Sequence, residues 1–110
     1  MNDQSDSAGC SASEPFALRV IGDDMAPEFR DGQIVIIDPG GDLRSGCFVV
    51  ANTNQGVMLR QLKIEDNHWT LHALDNNIEP VTIEPTPAGI VGVVSQRAGK
   101  RRSEHKRYTS

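Results

Sequence analysis

A chain of 110 residues with 37% hydrophobic content is long enough for one small domain with a modest core. Aromatic residues make up only 5% of the chain, so the core must consist mainly of Val, Ile and Leu, which favours strands. No segment approaches the roughly 18 consecutive apolar residues of a membrane span, and the first residues lack the apolar run of a signal peptide. Two cysteines are too few for a disulfide framework, so we expect a cytoplasmic protein without membrane association.

The composition and charge change along the chain and suggest three segments. Residues 1–14 are mainly small and polar and are predicted to form a flexible lead-in. Residues 15–96 hold nearly all the large apolar side chains and are predicted to form the folded domain. Residues 97–110 carry six basic side chains and one acidic one, against a net charge of −4 for the whole chain. This last segment is predicted to be a disordered basic tail.

Short apolar runs within the predicted domain alternate with clusters of turn-forming residues. Several runs are rich in β-branched residues, and the first of them alternates apolar and polar positions, as strands with one buried face do. The pattern favours a mainly β domain of antiparallel strands. The predicted strands are Phe16–Ile21, Gln33–Asp38, Gly46–Ala51, Gln55–Lys63, His68–Leu74 and Ile90–Ser95.

One segment departs from the strand pattern. Asp24 precedes a Pro-containing stretch, Glu28 follows in its first turn, and Arg30 and Gly32 stand at its end. Acidic residues at the start and a basic residue and glycine at the end are typical of a short helix. The sequence therefore predicts a single helical turn at about residues 25–30.

Six segments in chain order carry a family likeness. They are FALRVIGDDMAP (16–27), DGQIVIID (31–38), SGCFVVA (45–51), VMLRQL (57–62), LHALDNN (71–77) and GIVGVV (89–94). The series resembles the C-terminal domain of LexA, UmuD and the phage repressors, a family of serine–lysine peptidases. The resemblance covers about residues 16–96 and implies a LexA/signal-peptidase-like fold, with coiled antiparallel strands and an SH3-like barrel element.

The resemblance also places the two catalytic positions. In the family the nucleophilic serine precedes Met at the end of the first strand, and that position is Asp24 here. The general-base lysine lies on a later strand, at the position of Arg60. An arginine stays protonated and supplies no base, and an aspartate has no hydroxyl to activate. The sequence therefore predicts that the serine–lysine mechanism has been lost.

The two replacements have opposite charges. We expect Asp24 and Arg60 to form a carboxylate–guanidinium pair, which is bidentate where the geometry allows it. Strand periodicity places Arg60 on the same face as two apolar residues, so its stem should be partly sheltered. The residues expected to line the former active-site cleft are Asp23, Met25, Met58 and Leu62.

The family resemblance and the basic tail each predict a binding partner. The relatives dimerise partly along the last strand, which suggests a homodimer edge formed by Ile90, Val91, Val93 and Val94. The basic tail offers a weak, nonspecific nucleic-acid contact through Lys100, Arg101, Arg102, Lys106 and Arg107. His68 and His72 are roughly 13 Å apart on a strand, so no metal site is predicted, and no cofactor is implied.

Three functions are compatible with these features. The first is a catalytically inactive peptidase-fold protein that acts as a regulatory or protein-interaction module, in a stress (SOS) response, transcriptional regulation or a phage-repressor context, as the resemblance implies. The second is a hydrolase with an altered site based on Asp24, and the third is a nucleic-acid accessory factor that uses the basic tail. Turnover of a peptide or ester would distinguish the second, and salt-sensitive nucleic-acid binding the third.

Overall fold

The computed structural model describes residues 14–99 and 105–108, which form eight strands. A 3-10 helix at Pro87–Gly89 precedes the seventh strand, and no described helix is long and apolar enough to cross a membrane. The strands are β1 (Phe16–Arg19), β2 (Ile34–Asp38), β3 (Phe48–Thr53), β4 (Gly56–Glu65), β5 (His68–His72), β6 (Val81–Ile83), β7 (Ile90–Ala98) and β8 (Lys106–Arg107).

All the described strands belong to one sheet, and every pairing is antiparallel. The strand order is β1-β2-β7-β3-β4-β5-β6, and β8 adds to β7. β7 therefore lies inside the sheet, with Val94 opposite Ile37 of β2 and Val93 opposite Val49 of β3. The predicted fold class, a mainly β domain of antiparallel strands, is confirmed.

Local turn chemistry sets the register of the β4–β5 hairpin. Asp66 and Asn67 both have positive φ, 48° and 65°, and they connect β4 to β5 as a two-residue loop. Asn and Asp tolerate this conformation better than most residues, and such loops match the twist of the flanking strands. The loop sets Glu65 opposite His68 and Leu62 opposite Leu71. The Glu-Asp-Asn break in the sequence is thus a hairpin turn.

The central strands bury both of their faces. Val50 and Val94 belong to one core cluster with Phe29, whereas their neighbours Val49 and Val93 belong to a second cluster. Successive strand residues point to opposite faces, so a run of consecutive apolar residues supplies both clusters at once. This explains why β3 and β7 are continuous apolar runs in the sequence.

The segment expected to form a helical turn consists of consecutive turns with one helical hydrogen bond. The Phe29 N–H donates to the Met25 carbonyl at 2.9 Å, and the Ala26 N–H donates to the Asp23 carbonyl at 3.1 Å. Pro27 follows a cis peptide bond and has no N–H with which to extend a helical ladder. The turns bury Met25 and Phe29, which are 2% and 0% exposed.

The structure corrects the predicted ends of the domain. β7 continues to Ala98, two residues beyond the expected boundary at residue 96. Residues 105–108, expected to belong to a disordered tail, contain β8 and pack against the sheet. The sequence does not predict β6, because Val81–Ile83 is a short strand in a Pro- and Glu-rich stretch with little apolar signal.

Candidate functional site: the Asp24–Arg60 groove

Asp24 is fixed by its backbone at the end of the first strand region. Gly22 precedes it with φ of +87°, a conformation that favours glycine, and its N–H donates to the Asp31 carboxylate at 2.7 Å. The Asp24 carbonyl accepts hydrogen bonds from the N–H groups of Leu74 and Asp75, both at 3.1 Å. The loop after β5 therefore holds Asp24 in place beside β4.

The expected ion pair is present. Arg60 lies on β4 opposite Val49, and its Nη2 is 3.3 Å from Oδ2 of Asp24. The Nη1 of Arg60 donates to the Leu59 carbonyl at 2.8 Å, so the carboxylate is contacted by one nitrogen and the pair is not bidentate. The side chain of Arg60 is 12% exposed and that of Asp24 is 50% exposed. The arginine is sheltered as expected, whereas the aspartate remains in contact with water.

The ion pair lies in a groove of about 530 Å³ between the β1 region and the first half of β4. Its lining is largely apolar, and two large apolar side chains on its rim, Ile21 and Val57, are 86% and 67% exposed. We use "the groove" for this site, whose lining residues are Leu18, Arg19, Val20, Ile21, Gly22, Asp24, Met25, Val35, Val50, Gln55, Val57, Met58, Leu59 and Arg60.

Two of the four residues expected to line the cleft do so. Met25 and Met58 line the groove. Asp23 is exposed but does not line the groove. Its carbonyl accepts the hydrogen bond from the Ala26 N–H that closes a turn. Leu62 is fully buried in the second core cluster instead. Although it is two residues from Arg60 on the same strand, Leu62 lies where β4 has begun to pair with β5, beside Leu71, which belongs to the same core cluster.

Both walls of the groove expose unpaired strand edges. In the described part of the chain, β1 pairs with β2 alone. Residues 56–60 of β4 pair with β3, while the pairing of β4 with β5 begins only at Gln61. Unpaired N–H and C=O groups along a strand are a template for the addition of another strand. The groove therefore has the geometry to accept an extended peptide.

The chemistry available in the groove differs from that of a serine peptidase. The described lining residues include no Ser, Thr, Cys, His or Lys. Ser45 and Ser95 are engaged elsewhere, Ser45 as acceptor from the Ile64 N–H and Ser95 as donor to the Ile36 carbonyl. The guanidinium of Arg60 offers charge and hydrogen-bond donors but no proton acceptor. The groove can therefore bind polar and apolar groups, but it lacks an activated hydroxyl nucleophile.

The predicted dimer edge lies on β7, an interior strand of the sheet. Ile90 and Val93 are paired to β3, and Val93 and Val94 are paired to β2, whereas the pairing of the described strands with β2 does not extend to residues 90–92. Val93 and Val94 are also buried, at 3% and 0% exposure, while Val91 is 37% exposed. Neighbours on both sides leave Val93 without free backbone groups for a second chain to pair with.

The predicted nucleic-acid residues are only partly within the described chain. Lys100, Arg101 and Arg102 lie outside the described residues. Arg107 is exposed on β8, but Lys106 forms an ion pair with Glu28 at 2.9 Å. The charge of Lys106 is thus already compensated within the protein.

The histidines of β5 lie apart from the groove. His68 is exposed, and Nε2 of His72 is 2.9 Å from the Thr70 hydroxyl. Among the described residues no three His, Cys, Asp or Glu side chains form a cluster that could hold a metal ion. Cys47 is half-buried and packs against the second core cluster.

The fold and the groove define a small antiparallel β domain with an open cleft, and comparison with known proteins assigns its family. A family model described as Peptidase S24-like matches residues 4–95, so the chain belongs to this family. Over 83 residues the chain is 30% identical to the LexA repressor of Clostridium novyi (strain NT). The matched region covers 74% of this chain and 41% of that protein. The chain thus spans about two fifths of the length of this relative.

The two members of the ion pair should differ in their effect on stability. Asp24→Ala leaves a sheltered guanidinium with one fewer partner, and we expect a loss of about 1–2 kcal/mol, reduced by the exposure of Asp24. Arg60→Met leaves a hydrated carboxylate and should cost less. Urea unfolding followed by Trp69 fluorescence measures both.

Asp42→Ala, which breaks an exposed pair with Arg44, is the control and should change stability by less than about 0.5 kcal/mol. An equal loss for Asp24→Ala and Asp42→Ala would contradict the sheltering argument.

Proposed function

We propose that this chain is a catalytically inactive member of the Peptidase S24-like family that binds an extended segment of a partner protein in the groove without cleaving it. The observation that carries the proposal is the Asp24–Arg60 ion pair, at 3.3 Å, in the positions where the resemblance implies nucleophile and base. An arginine accepts no proton from a hydroxyl and an aspartate has no hydroxyl to activate, so this pair cannot carry out the serine–lysine mechanism.

Three features of the groove support a peptide as the ligand. The unpaired edges of β1 and of residues 56–60 offer main-chain hydrogen bonds to a strand. The apolar lining offers contacts to every second side chain of such a strand. Ile21 and Val57 leave apolar surface in water that a bound segment would cover.

A regulatory role is part of the same proposal. The relative named LexA repressor is by its name a regulator, and we extend to this chain a regulatory or interaction role in the cytoplasm. A homodimer is also proposed. Its contact must use a surface other than the backbone of Val93, which is paired on both sides.

The test is binding and turnover measured on the same peptides. We expect fluorescent extended peptides with apolar residues at alternate positions to bind the purified chain and to stay intact on prolonged incubation. Val57→Asp places a charge on the groove rim and should abolish binding. Val91→Asp, on an exposed position of β7, is the matched control and should leave binding unchanged.

Other outcomes would favour the alternatives. Peptide or ester turnover that disappears in Asp24→Asn would show a hydrolase with an altered site. Salt-sensitive binding of nucleic acid, together with no peptide binding, would favour the accessory-factor alternative. Equal peptide binding by Val57→Asp and by the parent would exclude the groove as the binding site.

A further inference from the structure

Residues 105–108, here called the docking segment, pair with β7 through backbone hydrogen bonds. Arg107 is opposite Gln96 and Lys106 is opposite Arg97 in an antiparallel pairing with β7. The Tyr108 N–H donates to the Ser95 carbonyl at 2.8 Å, and Nε2 of His105 lies 2.9 Å from the Gln96 side-chain oxygen. The docking segment therefore adds a short strand along Ser95–Arg97.

The side chains of the docking segment meet one carboxylate. Oε2 of Glu28 is 2.9 Å from Nζ of Lys106, 2.5 Å from the Tyr108 hydroxyl and 3.2 Å from Nη1 of Arg97. Glu28 is 24% exposed and Arg97 is 17% exposed, so these contacts are partly shielded from water. Charge-assisted hydrogen bonds of this kind are stronger than neutral ones. Glu28 thus recognises an ammonium and a phenol together.

An aromatic pocket receives the ring of Tyr108. Its centroid is 5.4 Å from that of Phe29 and 5.7 Å from that of Phe48, and the two phenylalanine rings are themselves 4.9 Å apart, edge to face. Phe29 is fully buried. Aromatic contacts in these geometries add to the burial of apolar area.

The spacing of the docking segment matches this site. Positions two apart on a strand share a face, so Lys106 and Tyr108 both point to Glu28 while Arg107 points away. Nζ of Lys106 also lies 5.1 Å from the centroid of the Tyr108 ring, within the range of a cation–π contact. The match of the chain to its family ends at residue 95, before the docking segment begins.

We propose that Glu28, Phe29, Phe48 and the Ser95–Arg97 edge of β7 form a second peptide-binding site, distinct from the groove. Its ligand is a short strand with a lysine two residues before a tyrosine, and the docking segment fills the site in cis. Backbone pairing supplies the orientation of this ligand, Glu28 selects the lysine and the phenol, and the two phenylalanines bind the ring.

The experiment presents the ligand in trans to the full chain. The probe is a fluorescent peptide of residues 105–110, His-Lys-Arg-Tyr-Thr-Ser, measured by anisotropy. The double variant Lys106→Ala/Tyr108→Ala weakens the cis ligand and is expected to bind the probe. The parent should bind it at least about ten-fold more weakly, because a tethered segment competes at millimolar effective concentration. Adding Glu28→Gln to the double variant should weaken binding by about ten-fold or more.

Two control peptides test the ligand pattern. The probe with alanine in place of Tyr108 should not bind, whereas the probe with alanine in place of Arg107 should bind as the original does. Equal binding of the original probe to the parent and to the double variant, or no binding to either, would overturn the proposal.

Hydrogen exchange tests the same contact with one substitution, Glu28→Gln, so that the result does not depend on the folding of the double variant. Glu28→Gln should speed exchange of the Tyr108 amide, which bonds to Ser95, by about ten-fold or more. The Leu62 amide, which bonds to Cys47, should be unaffected. Unchanged exchange at Tyr108 would show that Glu28 does not hold the docking segment.

Size-exclusion chromatography tests the cis assignment. It would be overturned by an elution volume that shifts to a dimer as concentration rises and reverts on deletion of residues 105–110, since this would show exchange of the docking segment between copies.

Discussion

Phe29→Ala is expected to lower the free energy of unfolding by about 3–5 kcal/mol, the range for removing a large buried aromatic ring. Phe29 is fully buried and joins the first core cluster to the rings of Phe48 and Tyr108. Removal of the Phe29 ring would leave a cavity beneath the turns that carry Met25. The docking segment, whose Tyr108 ring contacts Phe29, would border the same cavity. Urea unfolding followed by circular dichroism and by the fluorescence of Trp69, which packs against the other cluster, measures the loss.

Two variants control this measurement. Phe29→Leu retains most of the apolar volume and should recover more than half of the loss. Phe16→Ala removes the same ring from a partly buried position on β1 and should cost less than Phe29→Ala. A Phe29→Ala variant that loses less than about 1 kcal/mol would show that this ring is not central to the core.

Glu28→Ala is expected to lower the free energy of unfolding by about 2–4 kcal/mol, because it removes the common partner of Arg97, Lys106 and Tyr108. The sheltered guanidinium and phenol would each lose a strong acceptor. Glu79→Ala, at an exposed position, is the matched control and should be nearly neutral. A loss no larger than that of the control would contradict the role of Glu28, and urea unfolding provides the measurement.

The same carboxylate should make stability depend on pH. Burial raises the pKa of Glu28, but hydrogen bonds from Tyr108 and Lys106 and the charges of Lys106 and Arg97 outweigh it, so the pKa lies below the ordinary value of 4.5. A lowered pKa in the folded state stabilises the protein at neutral pH, and this contribution is lost as the pH falls below 4.5 through the folded pKa. Glu28→Gln should remove that part of the acid dependence.

At high pH the phenol acts in the opposite direction. Burial, the hydrogen bond to Glu28 and the negative charge of Glu28 raise the pKa of Tyr108 above its ordinary value of 10.0. Its contribution to stability is therefore complete below pH 10.0 and is lost as the pH rises toward the folded pKa. In Tyr108→Phe this alkaline loss should be absent, while the acid limb due to Glu28 should persist.

Strand positions could be predicted from the sequence because strand periodicity is local. The alternation of β1 and the β-branched runs of β2 and β3 follow directly from which faces are buried. The contact between Asp24 and Arg60 spans 36 positions and could be predicted only through the family resemblance. Periodicity alone gave Arg60 the right face but could not show where β4 passes from the groove into the core.

The differences between sequence and structure have two causes, and the first is that strand neighbours are not encoded locally. Nothing in residues 90–94 indicates that β2 and β3 pair with Val93 on its two sides. The docking segment was missed because its composition is polar and basic, and composition favoured disorder. The available signal was the spacing of Lys106 and Tyr108, but its partner Glu28 was interpreted as the first-turn acid of a helix.

The absence of hydroxyl, thiol, imidazole and amine groups from the described groove lining has a kinetic consequence. A peptidase ends each encounter by cutting its ligand and releasing the fragments. In the function we propose, the ligand leaves the groove intact, so the lifetime of the complex depends on the dissociation rate alone. Substitutions on the rim, at Ile21 or Val57, would then tune how long a partner is retained, with no turnover to constrain that interval.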